Sequence, residues 1–76
     1  MKELIVITGR DCPLCQDTLN MLEDLDLGSY IIKEKDVYET RELNTKYWDK
    51  IPVLLANDKE LFWPFKAHDI EQFLSI

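Results

Sequence analysis

Two cysteines three positions apart, Cys12 and Cys15, stand where one local pattern gives way to another. Ahead of them runs Leu4-Ile5-Val6-Ile7, apolar at every position. Such a run reads as a strand buried on both faces, at the centre of a sheet with helices on each side. Behind them Cys15, Leu19, Leu22 and Leu25 follow helical spacing, with Gln16, Asp17, Asn20, Glu23 and Asp24 mostly on the other side. The pair therefore sits at a strand-to-helix junction inside a layered α/β arrangement, and a close thiol pair there reads as redox-active. Cys12 falls at the mouth of the helix, where backbone N–H groups have no intrahelical partner. Those donors, with the positive end of the helix dipole, favour a thiolate over a thiol. Cys15 lies one turn in, within reach for a disulfide. Pro13 at the first helical position loses nothing, because its missing N–H would have had no acceptor.

The rest of the chain supplies the remaining layers. Glu3 to Thr8 is the first expected strand, Gly9 to Asp11 the turn, and Pro13 to Leu25 or Leu27 the first helix, stopped by Gly28. Tyr30 to Lys35 reads as a second, more polar strand at a sheet edge, parallel to the first. A helix over 39–47 follows, then a strand from Ile51 to Ala56 with Pro52 near its start. Asn57-Asp58-Lys59 is a hairpin turn, Glu60 to Trp63 a short strand, and Ala67 to Leu74 a last helix with Ile70, Phe73 and Leu74 on one face. At 76 residues this is a single domain spanning 1–76, with a thin margin of buried surface.

Charge narrows the partners. The net charge of −6 repels phosphate backbones and anionic lipid, so neither nucleic acid nor a membrane surface is an expected partner. Met1-Lys2-Glu3 followed by a short apolar run does not resemble an export signal, and a cytoplasmic location is the expectation. In a reducing compartment a close cysteine pair is catalytic or metal-binding rather than structural. A closed zinc site takes four protein ligands, and this chain offers two cysteines and one histidine, His68. Carboxylates or a second chain would have to complete it, so no metal is expected. A plain buried pair is the third reading.

The order β-α-β-α-β-β-α, with Cys12-Pro13-Leu14-Cys15 at the first β–α junction and Ile51-Pro52 opening the third strand, resembles the thioredoxin-like fold in its minimal glutaredoxin form. That form has a four-stranded mixed sheet with helices on both faces. Glu60-Leu61-Phe62-Trp63-Pro64-Phe65, with Phe73-Leu74 near the end, resembles more narrowly a group of small glutaredoxin-like proteins. The resemblance implies a thiol–disulfide oxidoreductase. Cys12 would attack a target disulfide and Cys15 would resolve the mixed disulfide. It also implies that Ile51-Pro52 is a cis peptide beside the motif. The Ile51 backbone would then face an incoming extended segment, making Ile51 and Pro52 substrate-binding residues. From spacing alone Pro52 is simply a strand-starting proline. The implied partners are a protein or small-molecule disulfide, with glutathione or a thioredoxin reductase as electron donor, and the chain is expected to act as a monomer.

The sequence departs from glutathione-binding relatives. Those carry Thr-Val-Pro and a Gly-Gly pair, where this chain has Lys50-Ile51-Pro52 and Trp63-Pro64-Phe65. Glycines admit close backbone approach to a ligand and aromatic residues do not. Asp69, with Lys50 or Lys66, remains as a candidate set for a glutathione amine and carboxylate. Trp63 and Phe65 read as packing under the last helix. Val6 occupies the place of the buried acid that thioredoxins keep behind the second cysteine, Trp48 falls where a glycine often ends the second helix, and His68 reads as exposed. Two other functions stay open: a non-catalytic binding module with the pair as redox switch, and a metal or iron–sulfur carrier.

Overall fold

The structure, a computed structural model, describes residues 2–76. The chain runs β1 (Lys2–Thr8), α1 (Pro13–Asp24), β2 (Tyr30–Asp36), α2 (Arg41–Tyr47), β3 (Val53–Ala56), β4 (Lys59–Phe62) and α3 (Ala67–Leu74). The strands form one sheet in the order β2-β1-β3-β4. β1 pairs parallel with β2 and antiparallel with β3, and β3 pairs antiparallel with β4. This is a small thioredoxin-like fold.

Alternation along β1 sorts the core into two layers. Leu4 and Val6 face α1 and α3, where they pack with Leu22, Leu54, Ala56, Phe65, Ile70 and Leu74. Ile7 faces the other way and packs with Val37, Tyr47 and Val53 under α2. Leu4, Val6 and Ile7 are all fully buried, as an apolar run at the sheet centre requires. The more polar β2 lies at the edge, with Lys33 paired to Glu3 across the exposed face at 2.5 Å.

Several boundaries differ from the sequence reading, each for a local reason. α1 stops at Asp24, because Leu25 turns extended and its N–H reaches back to the Leu22 carbonyl. Gly28 serves the turn that follows: it takes φ +63 and donates its N–H to the Asp26 carboxylate. α2 begins at Arg41, two residues later than the expected start at Glu39. Thr40 caps it, its hydroxyl accepting the Leu43 N–H at 3.1 Å. β3 starts at Val53, so Ile51 and Pro52 precede the strand. The hairpin turn narrows to Asn57 and Asp58, both at positive φ, and Lys59 joins β4, pairing with Ala56. Trp48 caps α2 in an ordinary right-handed helical conformation and is 62% exposed, so no glycine is needed there.

α2 is two turns long and cannot hold itself by backbone hydrogen bonds alone. Its last residue, Tyr47, is buried among Ile7, Val37 and Val53, and its hydroxyl donates to Glu60 on β4. Lys46 Nζ lies 3.4 Å from the same carboxylate oxygen. The Tyr47 hydrogen bond, then the charge of Lys46, hold the Glu60 carboxyl below the ordinary carboxylate range. Lys33 does the same for Glu3, chiefly through its hydrogen bond.

Ile70→Ala empties a fully buried site and should cost about 2–5 kcal/mol in urea unfolding, whereas Trp48→Ala should change stability by less than about 1 kcal/mol. A depressed carboxylate pKa stabilises the fold above its unfolded value, about 4.3 for Glu, and that contribution is lost as pH falls through the lower folded value. Glu60→Gln should therefore lose less stability than wild type across that interval, with the Glu3–Lys33 pair setting a residual acid dependence in both proteins.

Candidate active site

The site begins where β1 hands over to α1. Asp11 takes φ 50, and Cys12 follows as the N-cap residue of α1 with φ −115 and ψ 89. This reversal brings the Cys12 carbonyl under the helix, where it accepts the Cys15 N–H at 3.1 Å and the Gln16 N–H at 3.2 Å. It also aims the Cys15 N–H at Cys12 Sγ, again at 3.1 Å. A side-chain sulfur thus fills the place that a Ser or Asp oxygen takes at other helix starts. Pro13 contributes no competing donor, and the first turn of α1 contains no carboxylate.

Cys12 and Cys15 are joined as a disulfide, with Cα atoms 5.2 Å apart. The two sulfurs are unequal in access. Cys12 is half-buried at the helix mouth, while Cys15 is 3% exposed beneath the first turn. Arg10 and Asp11 are both exposed beside the pair, and their opposite charges nearly offset each other.

Ile51 is the second landmark. The Ile51–Pro52 peptide is cis, as is Trp63–Pro64. A Cβ added at Gly9 would collide with Ile51 Cδ1, so the turn leading to Cys12 and the segment leading to β3 lie against each other. The absence of a side chain at Gly9 is what permits that approach. Among the described residues the Ile51 N–H and C=O make no backbone hydrogen bond. Pro52 is fully buried.

Leu14 in the motif, Asp49-Lys50-Ile51 before β3, and Phe62-Trp63 at the end of β4 line one groove of about 440 Å³. Its apolar contributors are accessible: Leu14 is 39% and Phe62 40% exposed. Lys50, its one cation among the described residues, is paired to its neighbour Asp49 at 3.1 Å. Trp63 and Phe65 meet edge to face with centroids 5.0 Å apart. Phe65 is buried packing, as the sequence suggested, while Trp63 both packs on the core and lines the groove. Asp69 accepts the Lys66 N–H at 2.8 Å and so helps close the start of α3. His68 is exposed on α3 and Val6 is fully buried. Among the described residues no group of three His, Cys, Asp or Glu side chains could hold a metal ion, and no helix is long and apolar enough to cross a membrane.

The family model described as "Glutaredoxin-like domain (DUF836)" matches residues 3–75. The chain belongs to that family. It is similar to the crystal structure of the target protein XcR50 from X. campestris, at 26% identity over 95% of each chain with a TM-score of 0.80. The solution structure of XcR50 matches at 26% identity over 99% of this chain and 94% of that one, with a TM-score of 0.76. No curated protein matches the chain. Membership of a glutaredoxin-like family, together with the close Cys12–Cys15 pair, supports a redox role of thioredoxin type in general terms.

The sequence pointed to Cys12, Cys15, Ile51 and Pro52. The structure brings the Ile51 segment against the cysteine loop through Gly9, a contact that the sequence reading missed. An isolated glycine just before the motif was the available signal, since glycine marks close backbone approach. Gly9→Ala should force Ile51 into another rotamer. Its Cδ1 methyl resonance should shift while that of Ile70 stays in place, at a stability cost of about 1 kcal/mol.

Proposed function

We propose that this chain is a glutaredoxin-like thiol–disulfide oxidoreductase working through a Cys12/Cys15 dithiol–disulfide cycle. The observation that carries the reading is the Cys15 N–H directed at Cys12 Sγ from the first turn of α1, with Cys15 itself covered. In the reduced protein that amide and the helix dipole favour Cys12 as thiolate, the attacking form.

The cycle balances as a two-electron exchange. Cys12 thiolate attacks one sulfur of the substrate disulfide, forming a mixed disulfide and releasing the other substrate sulfur as a thiolate that takes up a proton. Cys15, losing its proton, then attacks Cys12 Sγ and displaces the remaining substrate thiol. The substrate leaves reduced and the Cys12–Cys15 disulfide is formed. Two thiols of a donor return the pair to the dithiol, and that donor is glutathione or a thioredoxin reductase. Ile51 and Pro52 bind the substrate segment, with the Ile51 N–H and C=O pairing to it as an added strand does. The protein works as a monomer in the cytoplasm, on a protein or small-molecule disulfide, and holds no cofactor of its own.

The test is turnover of a protein disulfide and of a glutathione mixed disulfide, each with glutathione and with thioredoxin reductase as donor. Cys12→Ser should abolish turnover with every pairing. Cys15→Ser should accumulate a covalent adduct with a protein disulfide through Cys12. Undiminished turnover by Cys12→Ser, or an adduct through Cys15 in the wild-type chain, contradicts the assignment.

A further inference from the structure

We propose that Glu60, acting through Tyr47, is the positioning residue that holds in register both walls of the groove that Leu14 of the cysteine motif lines. The proposal rests on the oxidoreductase reading for its consequence in turnover, though not for its geometry. Glu60 does not line the groove, and its side-chain partners are Tyr47 and Lys46, so its role runs through the side chain it anchors.

Tyr47 meets the two walls separately. Its carbonyl accepts the Lys50 N–H at 2.8 Å, so the Asp49-Lys50-Ile51 wall hangs from the end of α2. Its ring lies tilted at 46° against Phe62, with centroids 6.4 Å apart, and Phe62 belongs to the opposite wall. The far end of the same side chain donates its hydroxyl to Glu60, two residues before Phe62 on β4 and on the same face of the sheet. Lys46 closes the cluster, with Nζ 3.4 Å from the Glu60 carboxylate and 5.3 Å from the centre of the Tyr47 ring.

A phenylalanine would fill the apolar cluster of Ile7, Val37 and Val53 as well as Tyr47 does. The hydroxyl adds something that burial does not require: a directional tie to a charged acceptor, stronger than a neutral hydrogen bond. Apolar contact alone lets a two-turn helix slide and rotate on a sheet. The tie to Glu60 fixes where α2 ends, and therefore where Lys50 and Ile51 begin. It fixes this relative to β4, which carries Phe62 and is followed directly by Trp63. Groove width thus depends on one hydrogen bond on the far side of Tyr47.

The experiment compares Tyr47→Phe, Glu60→Ala, Glu60→Gln and the Tyr47→Phe/Glu60→Ala double variant. Glu60 is on an exposed edge strand, so its substitutions leave the core packing intact even where Tyr47→Phe folds poorly. Two readouts are taken: steady-state kinetics with a protein disulfide, and hydrogen exchange of the Lys50 amide against those of Thr18 and Leu22 in α1. Losing the tie should raise KM about three- to tenfold at unchanged kcat, and speed Lys50 exchange by a similar factor while the α1 amides keep their protection. The double variant should be no worse than either single one, because both remove the same interaction. Glu60→Gln, which keeps a carbonyl acceptor without the charge, should fall between wild type and Glu60→Ala in both readouts. Unchanged Lys50 exchange in Glu60→Ala overturns the proposal. So does an effect spread equally over α1, or one falling on kcat alone. If the wild-type chain turns over no disulfide, the oxidoreductase reading fails by itself, and Lys50 exchange still decides whether Glu60 holds the wall.

Discussion

One backbone amide, the Cys15 N–H, points at one sulfur, Cys12 Sγ, from a distance of 3.1 Å. That contact exists because Cys12 is the cap of α1, and Cys12 is the cap because β1 ends one turn earlier at the sheet centre. A helix start carries donors that nothing inside the helix can satisfy. Here one of them, the Cys15 N–H, is turned toward a cysteine sulfur. Proline at the first helical position and the lack of a carboxylate in the first turn both leave that field undiluted. The inequality of the two sulfurs follows from the same geometry, since a residue three positions further along the helix is carried under the turn and into the core.

The second half of the site comes from the other layer. α2 is too short to be stable alone, and it is held by Tyr47 from below, by Thr40 at its start and by Glu60 across the sheet edge. The Ile51 side chain, in the segment that leaves α2, lies so close to Gly9 that a Cβ there would push its Cδ1 methyl aside. The cysteine loop and the Ile51–Pro52 segment are thus built on opposite layers and meet at one end of the sheet. Between them and Phe62 lies an accessible apolar groove whose lysine, Lys50, is already paired with Asp49.

Much of this was legible in the sequence, and the reason differs by element. β1 and α3 were readable because their apolar periodicity is strong and local. The Cys12–Cys15 junction was readable because the change of period falls beside it. The ends of α1 and α2 were not, because single side chains decide them: Asp26 holds the turn after α1, and the Thr40 hydroxyl fixes the first turn of α2. β3 starts two residues later than its apolar run suggests, because apolar character cannot tell a strand residue from one waiting outside it. The groove was beyond reach for another reason. Leu14, Ile51 and Phe62 become neighbours only through the sheet order, and no spacing in the chain announces that Tyr47 will find Glu60, thirteen residues away, on the far side of a hairpin.

If the start of α1 activates Cys12, its thiol is more acidic than that of an ordinary cysteine. The direct measurement is the rate of Cys12 alkylation against pH in the reduced protein, with the modified residue identified by peptide mass. The expected midpoint lies at least about one unit below the ~8.5 of a free cysteine. A midpoint at or above that value, or preferential alkylation of Cys15, would contradict that activation.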